Sequence, residues 1–284
     1  MPARRRYRIV ALDLDGTLLD RWGEVSAEDA TALRRMRELG AQVVLASGRM
    51  TAAIRPWYRR IGVDGPVLAY NGGMVRDSEE KGEAVLFEKP LPAQYGDWLI
   101  DYADECEFHL NYYLHDTLYA KDDPGLRRFA DLYARQTGSI YHFVPSLQRF
   151  KGCEPTKIIL ITDPSAPGRS DPRRRDELYD AFRERWDEEV SLFKTNPEYL
   201  EFLNRDTDKG VALAALAQAY GVEREEVIAF GDGENDAPML AWAGLGVAVA
   251  NAPPNVQARA AYVSPYTNDE SAVARTLEKF AQGF

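Results

Sequence analysis

The feature that most restricts how this chain can fold is the apolar run Ile9-Val10-Ala11-Leu12, which stops abruptly at Asp13-Leu14-Asp15-Gly16-Thr17. No polar residue alternates with the apolar ones, so the run reads as a strand covered on both faces, the pattern of a central parallel strand. Asp13 and Asp15 are two apart and share a face in an extended backbone, while Gly16 lets the chain turn away steeply. Two neighbouring carboxylates repel unless a cation or a proton intervenes.

The same grammar recurs. Ser26, followed by Glu28 and Asp29, starts a helix that runs towards Gly40. A strand over 41–46 ends in Ser47-Gly48-Arg49, a helix over 51–60 tolerates Pro56, and a short strand over 66–70 ends in Asn71-Gly72-Gly73. At Asp208-Lys209-Gly210 the rhythm resumes with a helix to Tyr220. A buried strand over 227–230 then runs into Gly231-Asp232-Gly233-Glu234-Asn235-Asp236, followed by a strand over 246–250, a helix over 253–260 and a last helix capped by Asn268-Asp269-Glu270. The alternation implies the α/β class, a Rossmann-like doubly wound parallel sheet with right-handed crossovers. In such sheets ligands bind at the carboxyl ends of the strands, where these polar residues lie.

Between residues 84 and 203 the pattern differs. A strand over 84–88, an amphipathic helix holding Tyr95, Trp98, Leu99 and Tyr102, and a hairpin around His115-Asp116 lead into a helix over 126–134 and a strand over 156–162. A surface loop over 163–169, a helix over 177–186 and strands over 190–194 and 199–203 complete it. The sequence therefore predicts an α+β domain at 84–203, inserted between the two parts, 1–83 and 204–284, of a doubly wound core domain.

Composition narrows the chemistry. The net charge is −10 at pH 7 over 284 residues, which argues against a general nucleic-acid surface, so phosphate binding has to be local. Arg4-Arg5-Arg6 looks like the start of a signal peptide, but the apolar run behind it is too short for one, and no stretch is long enough to span a bilayer. Cys106 and Cys153 lie far apart outside any metal-ligand spacing, which fits a reducing cytoplasm and offers no zinc site. Oligomeric state stays open between a monomer and a small homo-oligomer.

The strand ends together supply what phosphoryl transfer from a small ester needs: carboxylates at Asp13 and Asp15, a hydroxyl at Ser47, an ammonium at Lys209, and Asp232, Asn235 and Asp236. Mg²⁺ prefers oxygen ligands, which suits Asp13 and Asp232 converging on one ion. A carboxylate so placed can attack phosphorus and form an aspartyl-phosphate, splitting a difficult hydrolysis in two. Lys209, Ser47 and the backbone N–H groups of the turn after Asp13, beginning at Leu14, would then meet the charge on the transferring phosphoryl oxygens. Asp15 is placed to protonate the leaving oxygen and later to take a proton from water.

In order, Asp13-Leu14-Asp15-Gly16-Thr17-Leu18, Ser47-Gly48-Arg49, Lys209-Gly210 and Gly231-Asp232-Gly233-Glu234-Asn235-Asp236 resemble the four motifs of the haloacid dehalogenase superfamily of phosphohydrolases. Asn71-Gly72-Gly73, the large insertion and residues 267–274 resemble its Cof-like branch with a C2B-type cap. The resemblance implies Mg²⁺-dependent hydrolysis of small phosphorylated metabolites, sugar phosphates or phosphorylated cofactors such as pyridoxal phosphate or FMN; we further expect the inserted cap to close over the substrate. It implies Asp13 as nucleophile, Asp15 as acid/base and as metal ligand through its backbone carbonyl, and Asp232 as metal ligand with Asp236 in support. Ser47 with Gly48, Lys209 and Asn235 would hold phosphate, and Asn71 with Gly72 would border the substrate. Two positions depart from the branch: Ser47 stands where threonine is commoner, and Asp208 where serine is.

Each residue also has a plainer role open to it. Lys209 alone could be a solvated first-turn lysine, Ser47 a helix cap, Arg49 a surface or cap residue, Asn71 a turn residue with positive φ, and Asp236 an acid at a helix start. Tyr112, Tyr113, Tyr119 and Tyr141 read as cap packing, Lys157 as structural or solvated, and His109, His115 and His142 show no metal pattern. Two other functions fit the same motifs: a phosphosugar mutase or phosphotransferase, and a non-catalytic metabolite-binding regulator.

Overall fold

Strand β1 (Ile9–Asp13) is buried along its whole length, as its unbroken apolar run requires. Helix α1 (Ala27–Glu38) begins where the Ser26 hydroxyl accepts the Asp29 amide at 3.0 Å. Strand β2 (Gln42–Ala46), helix α2 (Thr51–Ile61) and strand β3 (Val67–Ala69) complete a β-α-β-α-β run in which β1, β2 and β3 are parallel. Strands β4 (Met74–Arg76) and β5 (Val85–Glu88) then double back antiparallel.

The structure, a computed structural model, describes residues 6–162, 173–186, 188–195 and 197–282. The chain divides into two units, one running to Glu88 and resuming at Asp208, the other spanning Lys89–Thr207. The strand expected at the head of the insertion, β5, is the edge of the core sheet instead, paired to β4, so the second unit starts at Lys89 rather than at residue 84.

The second unit contains α3 (Ala93–Glu105), the hairpin β6 (His109–Leu114) and β7 (Thr117–Lys121), α4 (Arg127–Thr137), β8 (Tyr141–Val144), β9 (Lys157–Ile161), α5 (Arg173–Trp186), β10 (Val190–Thr195) and β11 (Tyr199–Asn204). The hairpin turns on His115 and Asp116, both at positive φ (49° and 56°), which matches the twist of a two-residue hairpin loop. Its strands form a six-stranded sheet in the order β10-β11-β9-β6-β7-β8. One face buries Leu110, Tyr112, Ile158, Leu160 and Phe202 against Leu99 of α3 and Phe182 and Trp186 of α5. Each such side chain contributes about 1.5–3 kcal/mol by leaving water. Lys157 is buried and pairs with Glu201 at 3.2 Å, a structural role. Tyr112 and Tyr113 are buried in the unit, while Tyr119 and Tyr141 are half-buried. The loop expected over 163–169 lies outside the described residues.

The chain returns through α6 (Lys209–Ala219), β12 (Val227–Gly231), α7 (Ala237–Trp242), β13 (Leu245–Ala248), α8 (Pro254–Gln257), β14 (Tyr262–Val263) and α9 (Ala272–Phe280). The core sheet reads β14-β13-β12-β1-β2-β3-β4-β5, and β14 through β3 run parallel. β1 pairs with β2 on one side and β12 on the other, so Asp13, Ser47 and Gly231-Asp232 emerge side by side at one edge of the sheet. Among the described residues no helix is long and apolar enough to cross a membrane.

Candidate active site

Lys209 is the centre of the site. It is the first residue of α6, whose start is fixed by Asp208: the Asp208 carboxylate accepts the Val211 amide at 2.7 Å. Gly72, at φ +100°, makes the neighbouring turn possible, because a Cβ there would stand 2.1 Å from the Asp208 carbonyl. The Lys209 side chain is fully buried, and its ammonium donates to Asp13 Oδ1 at 2.6 Å, to Asp236 Oδ1 at 2.5 Å and to the Ala46 carbonyl at 3.2 Å. Three donors meet three acceptors, so the ammonium is satisfied. The solvated first-turn lysine that Lys209 alone allowed is not what the fold produces.

Carboxylates outnumber the cation. Asp13, Asp232 and Asp236 present oxygens within 4.8 Å of one another. Burial foremost, then the charge of Asp236, pushes the Asp13 carboxyl up to about 8 against the pull of Lys209. Asp232 is raised too, by burial and by Asp236, with a hydrogen bond from Thr17 opposing. Burial alone would lower Lys209, but the charges of Asp13 and Asp236 outweigh it and hold the ammonium above its ordinary range. An all-oxygen cluster with excess negative charge fits a hard divalent cation, which would relieve the repulsion that raises Asp13. Asp236 is the least free of the three: its Oδ1 meets Lys209, and its Oδ2 accepts the amides of Asp232 at 3.1 Å and Gly233 at 2.9 Å.

Asp15 lies apart from this cluster. Its side chain is 57% exposed and is gripped by Arg49, with Nη2 to Oδ1 at 2.6 Å and Nε to Oδ2 at 3.0 Å. Gly16 follows at φ +85°, and a Cβ there would stand 2.4 Å from Asp232 Oδ2, so the glycine lets the motif lie against that carboxylate. The next residue, Thr17, donates to Asp232 Oδ1 at 2.8 Å. The Leu14 carbonyl accepts the amides of Thr17, Leu18 and Leu19, which closes the turn carrying Asp15.

On the other flank Ser47 is buried, and its hydroxyl accepts the Arg49 amide at 3.3 Å. It does not cap α2, whose N-cap position is Met50. Asn71, at φ 54°, has both the positive-φ geometry and a place in the site: its side chain accepts from Asn235 Nδ2 at 3.0 Å, and its amide donates to the Ser47 carbonyl at 3.0 Å. Gly48 lets the Asn71 amide approach, since a Cβ there would meet it at 3.1 Å. The structure thus gathers the buried Asp13, Lys209 and Asp236 and the half-buried Asp232 into one cluster, and links Ser47, Gly48, Asn71 and Asn235 beside it. Sequence reasoning missed Thr17 and Arg49 as site residues, although both stand inside the motifs it used.

Residues 10–277 match the model of the haloacid dehalogenase-like hydrolases. The pyridoxal phosphate phosphatase YbhA of Escherichia coli is 29% identical over 280 residues, 89% of this chain and 91% of that one. The 5-amino-6-(5-phospho-D-ribitylamino)uracil phosphatase YitU of Bacillus subtilis is 27% identical over 274 residues, 96% of this chain and 97% of that one. The crystal structure of TM0651 from Thermotoga maritima superposes with a TM-score of 0.83 at 33% identity, covering 97% of this chain and 98% of that one. The chain belongs to the haloacid dehalogenase-like hydrolase family, in its Cof-like branch, and is a phosphatase.

Proposed function

We propose that this phosphatase hydrolyses small phosphomonoesters, sugar phosphates or phosphorylated cofactors such as pyridoxal phosphate or FMN, with Mg²⁺ and through an aspartyl-phosphate on Asp13. The observation that carries the reading is the buried Asp13–Lys209–Asp236 arrangement beside Asp232, a carboxylate at a strand end held next to a permanent cation. Asp13, Asp232 and the Asp15 backbone carbonyl would hold the Mg²⁺, with Asp236 orienting the cluster. The ion would supply positive charge to the phosphoryl oxygens and lower the cost of ionised Asp13.

The residues then divide the work. An oxygen of Asp13 attacks phosphorus as the bond to the leaving oxygen breaks, and Asp15 gives that oxygen its proton. Water attacks the aspartyl-phosphate, Asp15 recovers a proton from it, and phosphate leaves with Asp13 restored. Lys209 pulls Asp13 toward its ionised form and orients it, and Ser47, Asn235 and the amides from Leu14 onward receive the phosphoryl oxygens. Arg49 holds Asp15 until a substrate competes for it. The name of YbhA, a pyridoxal phosphate phosphatase, supports the cofactor-like class of ester. The exposed Cys106 and half-buried Cys153, both free thiols, support a reducing cytoplasm as the place of action.

A panel of phosphorylated metabolites assayed with Mg²⁺ and with chelator tests this directly. Turnover is expected with Mg²⁺, to be lost in chelator and in Asp13→Asn. Undiminished hydrolysis by Asp13→Asn, purified away from host phosphatases, contradicts it.

A further inference from the structure

The loop that carries Asp15 is held from outside the four motifs. Asn251, in the turn after β13, donates from Nδ2 to the Gly16 carbonyl at 2.8 Å, and its Oδ1 accepts the Asn268 amide at 3.0 Å. Asn268 in turn donates from Nδ2 to the Leu19 carbonyl at 2.7 Å. Its neighbour Asp269 accepts the Arg21 amide at 2.9 Å and pairs with the Arg21 guanidinium. The loop is thus pinned at positions 16, 19 and 21 by residues more than 230 positions away in the chain. From the other side Thr17 is tied to Asp232, so the backbone around Asp15 is fixed on both flanks while the Asp15 side chain stays exposed.

We propose that Asn251 and Asn268 are positioning residues for Asp15: their amide groups set the backbone of residues 14–19, and thereby where the Asp15 carboxyl meets the leaving oxygen. This rests on the phosphatase reading above. Their role is separable from folding, because Asn251 is exposed, Asn268 is half-buried and neither sits in the core. Both carbonyls they grip belong to the loop, so the primary consequence of losing the donors is local.

Asn251→Asp and Asn268→Asp keep shape and acceptor but remove the donor. Hydrogen exchange is expected to accelerate in the peptide covering residues 14–25 and to stay unchanged in β2 and β12. Misplacing a proton donor matters most when the leaving group is poor. Using phenyl phosphate and p-nitrophenyl phosphate, kcat/KM should fall on the order of 10- to 100-fold for the first and less than about 3-fold for the second. An equal fall for both esters, or a fall that follows loss of folded protein, overturns the proposal. So does unchanged exchange in the loop. A wild-type protein inactive on both esters and across the metabolite panel would count against the phosphatase reading itself, and loop exchange in the two variants would still decide whether the clamp exists.

Discussion

Lys209 shows how much depends on one side chain. It is buried with its ammonium bonded to Asp13, Asp236 and the Ala46 carbonyl, so removing it leaves two carboxylates facing each other out of water. Breaking a buried ion pair by deleting one partner costs about 3–5 kcal/mol, because the other charge stays buried and uncompensated. Lys209→Met is therefore expected to lower the unfolding free energy, read from urea titrations with chelator present, by an amount of this order. The double variant Lys209→Met/Asp13→Asn should recover part of the loss, since one of the stranded charges is gone. If Lys209→Met melts like the wild type, the ammonium is not what holds the cluster. Arginine does not substitute here, as its planar fork cannot place three donors on these acceptors.

At the scale of elements, α1 and α9 are joined by a titrating contact. Asp29 of α1 accepts the Ala274 amide in the first turn of α9 at 2.7 Å, while its other oxygen is buried without a hydrogen-bond partner. Burial foremost pushes this carboxyl up to about 6, against the hydrogen bonds from Ala274 and Ser26 that favour its charged form. The folded protein thus holds the proton more tightly than the unfolded chain does. The contribution to stability is full below the ordinary carboxylate value near 3.8 and is lost as pH rises through 6, a change of about 3 kcal/mol. Urea unfolding of wild type and Asp29→Asn from pH 4 to pH 7 should show a decline steeper in the first than in the second by this amount. Parallel curves would mean that Asp29 does not titrate in this window.

The same scale shows what the sequence made legible. The Ser26 cap, the parallel β1 and the hairpin around His115-Asp116 follow from local signals, because apolar runs, capping residues and turn residues act within a few positions. Strands β4, β8 and β14 escaped, being three, four and two residues long and defined by the neighbours they pair with rather than by any pattern of their own. Arg49 escaped as a site residue because nothing in Ser47-Gly48-Arg49 says where its guanidinium ends. Its partner is Asp15, 34 residues away.

Over the whole molecule, the core sheet brings together groups that the chain scatters from residue 13 to residue 236. Parallel pairing of β1 with β2 and β12 aligns their carboxyl ends, which is why motifs with no local relation share one cluster. The long-range holds by Asn251 and Asn268, at separations of 235 and 249 residues, have no counterpart in sequence spacing, and only the closed fold reveals them. The second unit carries its own sheet and apolar core, with Trp186 and Phe182 stacked and Trp98 edge-on to both.

A phosphoryl group passed to Asp13 can be caught on the protein itself. Wild-type protein mixed with a turned-over phosphoester, quenched in acid within a turnover and digested should yield the peptide containing Asp13 with one added phosphoryl group, and Asp13→Asn should yield none. Steady hydrolysis with no phosphorylated Asp13 peptide at any quench time, together with activity retained in Asp13→Asn, would contradict transfer to Asp13.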